Sequence, residues 1–144
     1  MFLDASAIIA VLGDEEDAEH LLARMEAAQG RLVFSPLSAC EAAIGLARKK
    51  TFAAPTKAVI AADMIERAEA VVDGFLAEIG AVEMTITSET RREAVVACRR
   101  FGRAVGHPAR LNLGDCFAYA CARSAGLPLL FKGDDFPHTD IELA

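Results

Sequence analysis

Four short apolar runs constrain this chain more than any other feature: residues 1–3, 31–34, 82–86 and 127–131. Each is too short for a helix, and the stretches between them are alanine-rich, with aliphatic residues recurring at spacings of three and four. Short apolar strands alternating with amphipathic helices imply a parallel sheet with helices on both faces. The predicted fold class is therefore α/β, a three-layer α/β/α sandwich around a central, mostly parallel sheet. The first run ends in a carboxylate, Met1-Phe2-Leu3-Asp4. Ser6 is expected to cap the helix that Ala7-Ile8-Ile9-Ala10-Val11-Leu12 would form. Ligands of open α/β sheets sit outside the carboxyl ends of the strands, so Asp4 stands where chemistry occurs in such folds. The structural reading is that it only favours the positive end of a helix.

The remaining elements follow in order. Asp14-Glu15-Glu16-Asp17 opens a second helix, with Leu21, Leu22 and Met25 on its buried face and Gln29-Gly30 as its stop. Ser35-Pro36 is a strong helix start, and that helix runs to about Lys50. It carries Glu41 on an otherwise apolar face with Leu37, Ile44 and Gly45, which is unusual for a carboxylate without a partner. A capping box between Ser38 and Glu41 would be the structural explanation, but Pro36 sets the start too early for that register. Pro55 begins a long helical region to about Ile79 with a break near Gly74. Residues 82–86 alternate like a strand, and Thr87 or Ser88 caps a helix with Val95, Val96 and Phe101 inward and its arginines outward. After a loop at 102–108, Asn112 is an N-cap with Asp115 three residues beyond it, and Gly126 and Pro128 close the helix. Residues 127–131 form another strand that runs into Lys132-Gly133-Asp134-Asp135-Phe136, and residues 139–143 add a short edge strand.

With 144 residues, 53% apolar and 25% charged, the chain reads as one domain spanning 1–144 with a substantial core, not as a disordered segment. No run is long enough to span a membrane and no secretory signal is visible, so a cytoplasmic protein is expected. Cys40, Cys98, Cys116 and Cys121 form no C-x-x-C pair and are expected as reduced thiols. His20, His107 and His138 are too scattered for a zinc site. A net charge of −6 argues against broad nucleic-acid affinity. Residues 94–114 nevertheless contain no acid, while Arg99, Arg100, Arg103 and Arg110 fall within them, giving a local RNA-facing basic surface.

Asp4 and the Asp134/Asp135 pair follow strands; Glu41 and Asp115 lie near the starts of helices. With right-handed crossovers, strand ends and the following helix starts share one sheet edge, so these acids converge. Several carboxylates cannot stay ionised together without a counter-charge. Mg²⁺ is the natural neutraliser, with Mn²⁺ as the other candidate, because hard cations take oxygen ligands. Such an ion activates water for phosphodiester hydrolysis.

The combination of Asp4 with Ser6, Glu41 in a helix, Leu113-Gly114-Asp115-Cys116-Phe117-Ala118-Tyr119-Ala120 and Leu129-Leu130-Phe131-Lys132-Gly133-Asp134-Asp135-Phe136 resembles the PIN-domain ribonucleases of the VapC toxin type, across essentially the whole chain. The resemblance implies a metal-dependent endoribonuclease, the toxin of a type II toxin–antitoxin module. It implies Asp4, Asp115 and Glu41 as metal ligands and Ser6 as a supporting residue. It places the fourth acid at Asp135, directly before Phe136, with Asp134 as its adjacent substitute. It further implies a homodimer and neutralisation by a small VapB-type antitoxin. Two enzyme rivals fit less well. A haloacid-dehalogenase-type phosphatase needs a second Asp two residues after the first, where Ser6 stands, and a receiver domain needs an acid ending a middle strand, which residues 82–87 lack. The rival of another class is a non-catalytic α/β interaction module whose acids are only caps.

Overall fold

Strand residues alternate between the two faces of a sheet, and four dipeptides settle what lies on each face here. β1 (Phe2–Leu3), β2 (Val33–Phe34), β3 (Val82–Glu83) and β4 (Leu129–Leu130) form one sheet in the order β3-β2-β1-β4, every pairing parallel. These and all following features come from a computed structural model that describes residues 1–28, 30–52 and 59–144. Leu3, Phe34 and Leu130 share a core with α1 (Ala5–Leu12), α2 (Ala18–Ala27), α3 (Pro36–Phe52) and α4 (Ala62–Glu78). Phe2, Val33 and Leu129 share the other core with α5 (Ser88–Phe101) and α6 (Leu113–Ala125). The three-layer α/β/α sandwich expected from the sequence is the observed architecture.

β1 is first in the chain yet central in the sheet, flanked by β2 and β4 and fully buried at Phe2 and Leu3. A parallel strand covered on both faces needs apolar residues on both, which is why the run does not alternate with polar ones. Its register against β4, Phe2 with Leu129 and Leu3 with Leu130, brings the carboxyl ends of the two strands side by side. The Asp4 N–H continues the ladder by donating to the Leu130 carbonyl at 2.9 Å.

Several expectations change in detail. Asp4, not Ser6, is the N-cap of α1, and Ser6 sits one residue inside the helix. Both types cap well; Asp4 wins because it is the extended residue at which the strand ends (ψ 155°). In α5 the valines face outward, Val95 52% and Val96 38% exposed, while Thr90, Ala94, Ala97 and Phe101 are buried. Small residues on the inner face let α5 lie close against α6, and bulkier valines there would hold the helices apart. α4 runs through Gly74 without a break, and the Pro55 start lies outside the described residues. The strand at 82–86 shrinks to Val82–Glu83, and the loop at 102–108 contains a 3-10 turn at Arg103–Val105. Residues 139–143 contribute one parallel bridge, Leu129 with Leu143, preceded by a 3-10 turn at Phe136–His138.

The other caps are as read. Thr87 accepts from the Thr90 N–H at the start of α5, and Asn112 caps α6. All four cysteines are free thiols. Among the described residues no helix is long and apolar enough to cross a membrane.

Candidate active site

The carboxyl end of β1 and the start of α1 are one structure, built around Asp4. Its Oδ2 accepts both the Ser6 N–H at 2.9 Å and the Ser6 hydroxyl at 2.5 Å. The Ser6 Oγ in turn accepts the Lys132 backbone N–H at 2.9 Å, tying the end of β1 to the turn after β4. Asp4 is only 5% exposed. Burial pushes its pKa up, the Ser6 and Ala5 hydrogen bonds oppose that, and the charge of Asp135 adds to the rise.

Asp115 enters from the first turn of α6. Its N–H donates to Asn112 Oδ1 at 3.1 Å and its Oδ2 accepts the Asn112 N–H at 2.7 Å, a reciprocal capping box that fixes the carboxyl group. The group is half-buried, and burial raises its pKa to about 6. The Asn112 hydrogen bond and Arg103 pull the other way, while Asp4 and Asp135 add to the rise.

Glu41 is held by α3. The cap at that helix start belongs to Ser35 and Ser38: the Ser38 N–H donates to Ser35 Oγ at 3.1 Å and the two hydroxyls are 2.9 Å apart. Glu41 is therefore not a cap. Its carboxyl group lies over Gly114 so closely that a Cβ there would overlap both oxygens. Burial, then the charges of Asp4 and Asp115, raise its pKa to about 7. Gly114, quoted in the sequence only as part of the stretch around Asp115, is thus the seat of Glu41. A glycine beside a site acid in a helix first turn was the available signal.

Asp134 and Asp135 are both exposed, and the charge felt at Asp4 and Asp115 is that of Asp135. Gly133 at φ +118° turns the chain between the strand and this pair, a backbone shape that L side chains rarely adopt. Phe136, 3% exposed and packed on Phe131 with ring centroids 5.0 Å apart, anchors the far side of the turn.

Asp4 thus feels the charge of Asp135, Asp115 that of Asp4 and Asp135, and Glu41 that of Asp4 and Asp115, at one edge of the sheet. Among the described residues no three Asp, Glu, His or Cys side chains close on one point as a finished metal cage. What converges is an open set of oxygen donors whose repulsion is relieved by few positive charges. That donor chemistry suits a hard divalent cation.

The four arginines separate. Arg99 and Arg103 line a groove of about 440 Å³ that also holds Asn112 and Leu113, beside the start of α6. Arg100 turns to Asp140, at 3.0 Å, and lies over the Phe101 ring. Arg110 stands on the exposed loop before α6 with φ 50°. Asp140, unremarked in the sequence, also accepts from Tyr119 at 2.6 Å and pairs with Arg123, holding the C-terminal segment to α5 and α6. A separate cavity of about 660 Å³, lined in part by Arg31, Leu32 and Gly80, lies at the amino ends of β2 and β3, away from the carboxylates.

The sequence profile of the PIN domain family matches residues 1–142. The chain belongs to the PIN domain family. Among the relatives of this PIN domain is a VapC ribonuclease of Rhizobium meliloti (strain 1021), 45% identical over 140 residues that cover 97% of this chain and 98% of the relative. Ribonuclease VapC42 of Mycobacterium tuberculosis is 37% identical over 144 residues, covering 100% and 98% of the two chains. The PIN domain also superposes on the crystal structure of Mycobacterium tuberculosis VapC20, described as a toxin that cleaves the sarcin–ricin loop. The TM-score is 0.69, with 99% of this chain and 97% of that one covered, at 14% identity, a likeness of fold.

Proposed function

We propose that this PIN domain is a metal-dependent endoribonuclease, the toxin of a type II toxin–antitoxin pair, hydrolysing RNA phosphodiester bonds in the cytoplasm. The observation that carries the proposal is the meeting of Asp4, Glu41, Asp115 and Asp135 at the carboxyl edge of the sheet, two of them with pKa values raised to about 6 and about 7. Near-full-length relatives named as VapC ribonucleases support the same reading. Against a non-catalytic module stands the position of Glu41, which caps nothing and is half-buried beside other acids.

Asp4, Asp115 and Glu41 would hold Mg²⁺, or Mn²⁺ in its place, with Asp135 as the fourth acid. When bound, the cation supplies a Lewis acid that activates water and neutralises charge at the scissile phosphate. The protein does the rest by fixing its own groups. Ser6 clamps one oxygen of Asp4, the Asn112 amide clamps one of Asp115, and Gly114 gives Glu41 room to lean in. Arg99 and Arg103, with Arg110 on the same loop region, contact RNA phosphates; Arg100 contributes through the same basic stretch while paired with Asp140. Asp134 stands beside Asp135 as a supporting acid. A homodimer neutralised by a VapB-type antitoxin completes the proposal.

The test uses the purified, partner-free chain with single-stranded and structured RNAs, with Mg²⁺, Mn²⁺ or a chelator. Cleavage should require the metal and vanish in Asp4→Asn and Asp115→Asn. Cleavage in chelator, or full activity in either variant, would overturn the assignment. Thermal unfolding unmoved by millimolar Mg²⁺ would favour the interaction module.

A further inference from the structure

Glu15, in the turn between α1 and α2, uses both of its oxygens to join two lysines from different parts of the fold. Its Oε1 receives Lys49 Nζ from α3 at 2.6 Å and its Oε2 receives Lys132 Nζ from the turn after β4, also at 2.6 Å. Asp17 adds a second carboxylate to Lys132 at 3.2 Å. All three partners of the bridge are partly shielded, their side chains 25–38% exposed, unlike the 76% and 57% of the pair Arg67 and Asp63. Exposed pairs contribute little; a carboxylate shared by two lysines from different elements fixes backbone. The backbone it fixes matters, because the Lys132 N–H is the donor to Ser6 Oγ, and Ser6 Oγ is the donor to Asp4. Gly133, Asp134 and Asp135 follow immediately.

We infer that Glu15 and Lys132 are positioning residues for the acid cluster: their ion pair, with Lys49 behind it, holds the Lys132 amide under Ser6 and so sets the orientation of Asp4 and the reach of Asp135. Neither side chain takes part in the chemistry. The turn is clamped at two points, by this ion pair before Gly133 and by buried Phe136 after it. Lys132 is written into the chain as a strand-end lysine that invites a phosphate contact. Its two carboxylate partners instead occupy its ammonium group.

The inference rests on the ribonuclease reading for its kinetic test but not for its structural one, which needs neither metal nor RNA. Glu15→Gln and Lys132→Gln are compared with the wild type, the double variant, Lys132→Arg and the exchanged pair Glu15→Lys with Lys132→Glu. Hydrogen exchange at the Lys132 amide, measured by NMR on the metal-free protein, should speed up roughly tenfold in each single variant and recover in Lys132→Arg. In RNA cleavage each single variant should lose roughly three- to tenfold in kcat at unchanged KM, the double variant should be no worse than either, and the exchanged pair should regain part of the loss. A Lys132 that contacts RNA would behave differently: Lys132→Gln would raise KM, and Glu15→Gln, which leaves the ammonium group only Asp17, would not lower kcat. That pattern, multiplicative losses in the double variant, or unchanged exchange at the Lys132 amide would overturn the inference. A wild type that cuts no RNA in any metal would sink the function while leaving the exchange result to stand or fall alone.

Discussion

Replacing Glu41 by Gln should make the metal-free protein more stable in alkaline solution and leave it unchanged in acid. The Glu41 carboxyl group is raised from 4.5 to about 7, by burial first and then by Asp4 and Asp115. A raised acid is one whose ionised form the fold disfavours. Its contribution to stability is intact below about pH 4.5, shrinks as the unfolded chain ionises first, and is lost once pH has risen through about 7. At ~1.4 kcal/mol per pH unit the full gap corresponds to ~3 kcal/mol, and solvent screening of a half-buried group brings it to ~1–2 kcal/mol. Glutamine keeps the shape and cannot ionise. In chelator at pH 8, Glu41→Gln should therefore melt about 3–6 °C above the wild type, and at about pH 4, below the unfolded pKa, the two should nearly coincide. Millimolar Mg²⁺ should reverse the order at pH 8, because the cation stabilises the chain that has the extra ligand. The same assay by circular dichroism or scanning fluorimetry decides the matter. An equal difference at both pH values, or a less stable variant at pH 8 without metal, would refute the account of Glu41 as a crowded site acid.

Three further outcomes are expected. Gly114→Ala should fold normally, since alanine is the better helix former by ~1 kcal/mol, yet lose roughly tenfold or more in cleavage because its Cβ displaces the Glu41 carboxyl group; added to Glu41→Gln it should cost nothing more. Asp135→Asn should cut turnover by roughly ten- to a hundredfold while Asp134→Asn stays close to wild type, as judged by initial rates; the reverse order would place the fourth acid one residue earlier. Arg99→Ala with Arg103→Ala should reduce the salt dependence of RNA binding by a slope of about 1–2, whereas Arg100→Ala should chiefly lower the melting temperature by removing one of the partners of Asp140; an unchanged slope in the first variant would remove the groove from the RNA path.

What the sequence made legible was what is local or periodic. The run from Met1 to Asp4 shows a buried strand meeting an acid, and the spacing of three from Asn112 to Asp115 shows a cap. The fold class follows from the alternation of such pieces. Choices between equals were not legible: Asp4 and Ser6 cap equally well, and only the point where β1 ends decides for Asp4. Hydropathy misled in α5, since it puts valine inside while close helix packing selects Ala94 and Ala97. Contacts across elements left no local trace. The seat of Glu41 on Gly114, the three-way bridge at Glu15 and the bond from Lys132 to Ser6, 126 residues apart, exist only after the sheet has assembled.

The central place of β1 has a consequence for synthesis. β1 lies between two neighbours, and the second of them, β4, is made only after all the intervening helices and strands. Until Leu129 and Leu130 have left the ribosome, the Asp4 N–H lacks its carbonyl partner, Ser6 lacks the Lys132 amide, and Asp135 does not yet exist. Pairings this distant in sequence also form slowly. On the ribonuclease reading, the growing chain therefore carries its first acid from the outset but stays harmless to the message being translated. Its cutting edge is completed only once β4 and the turn after it have been made.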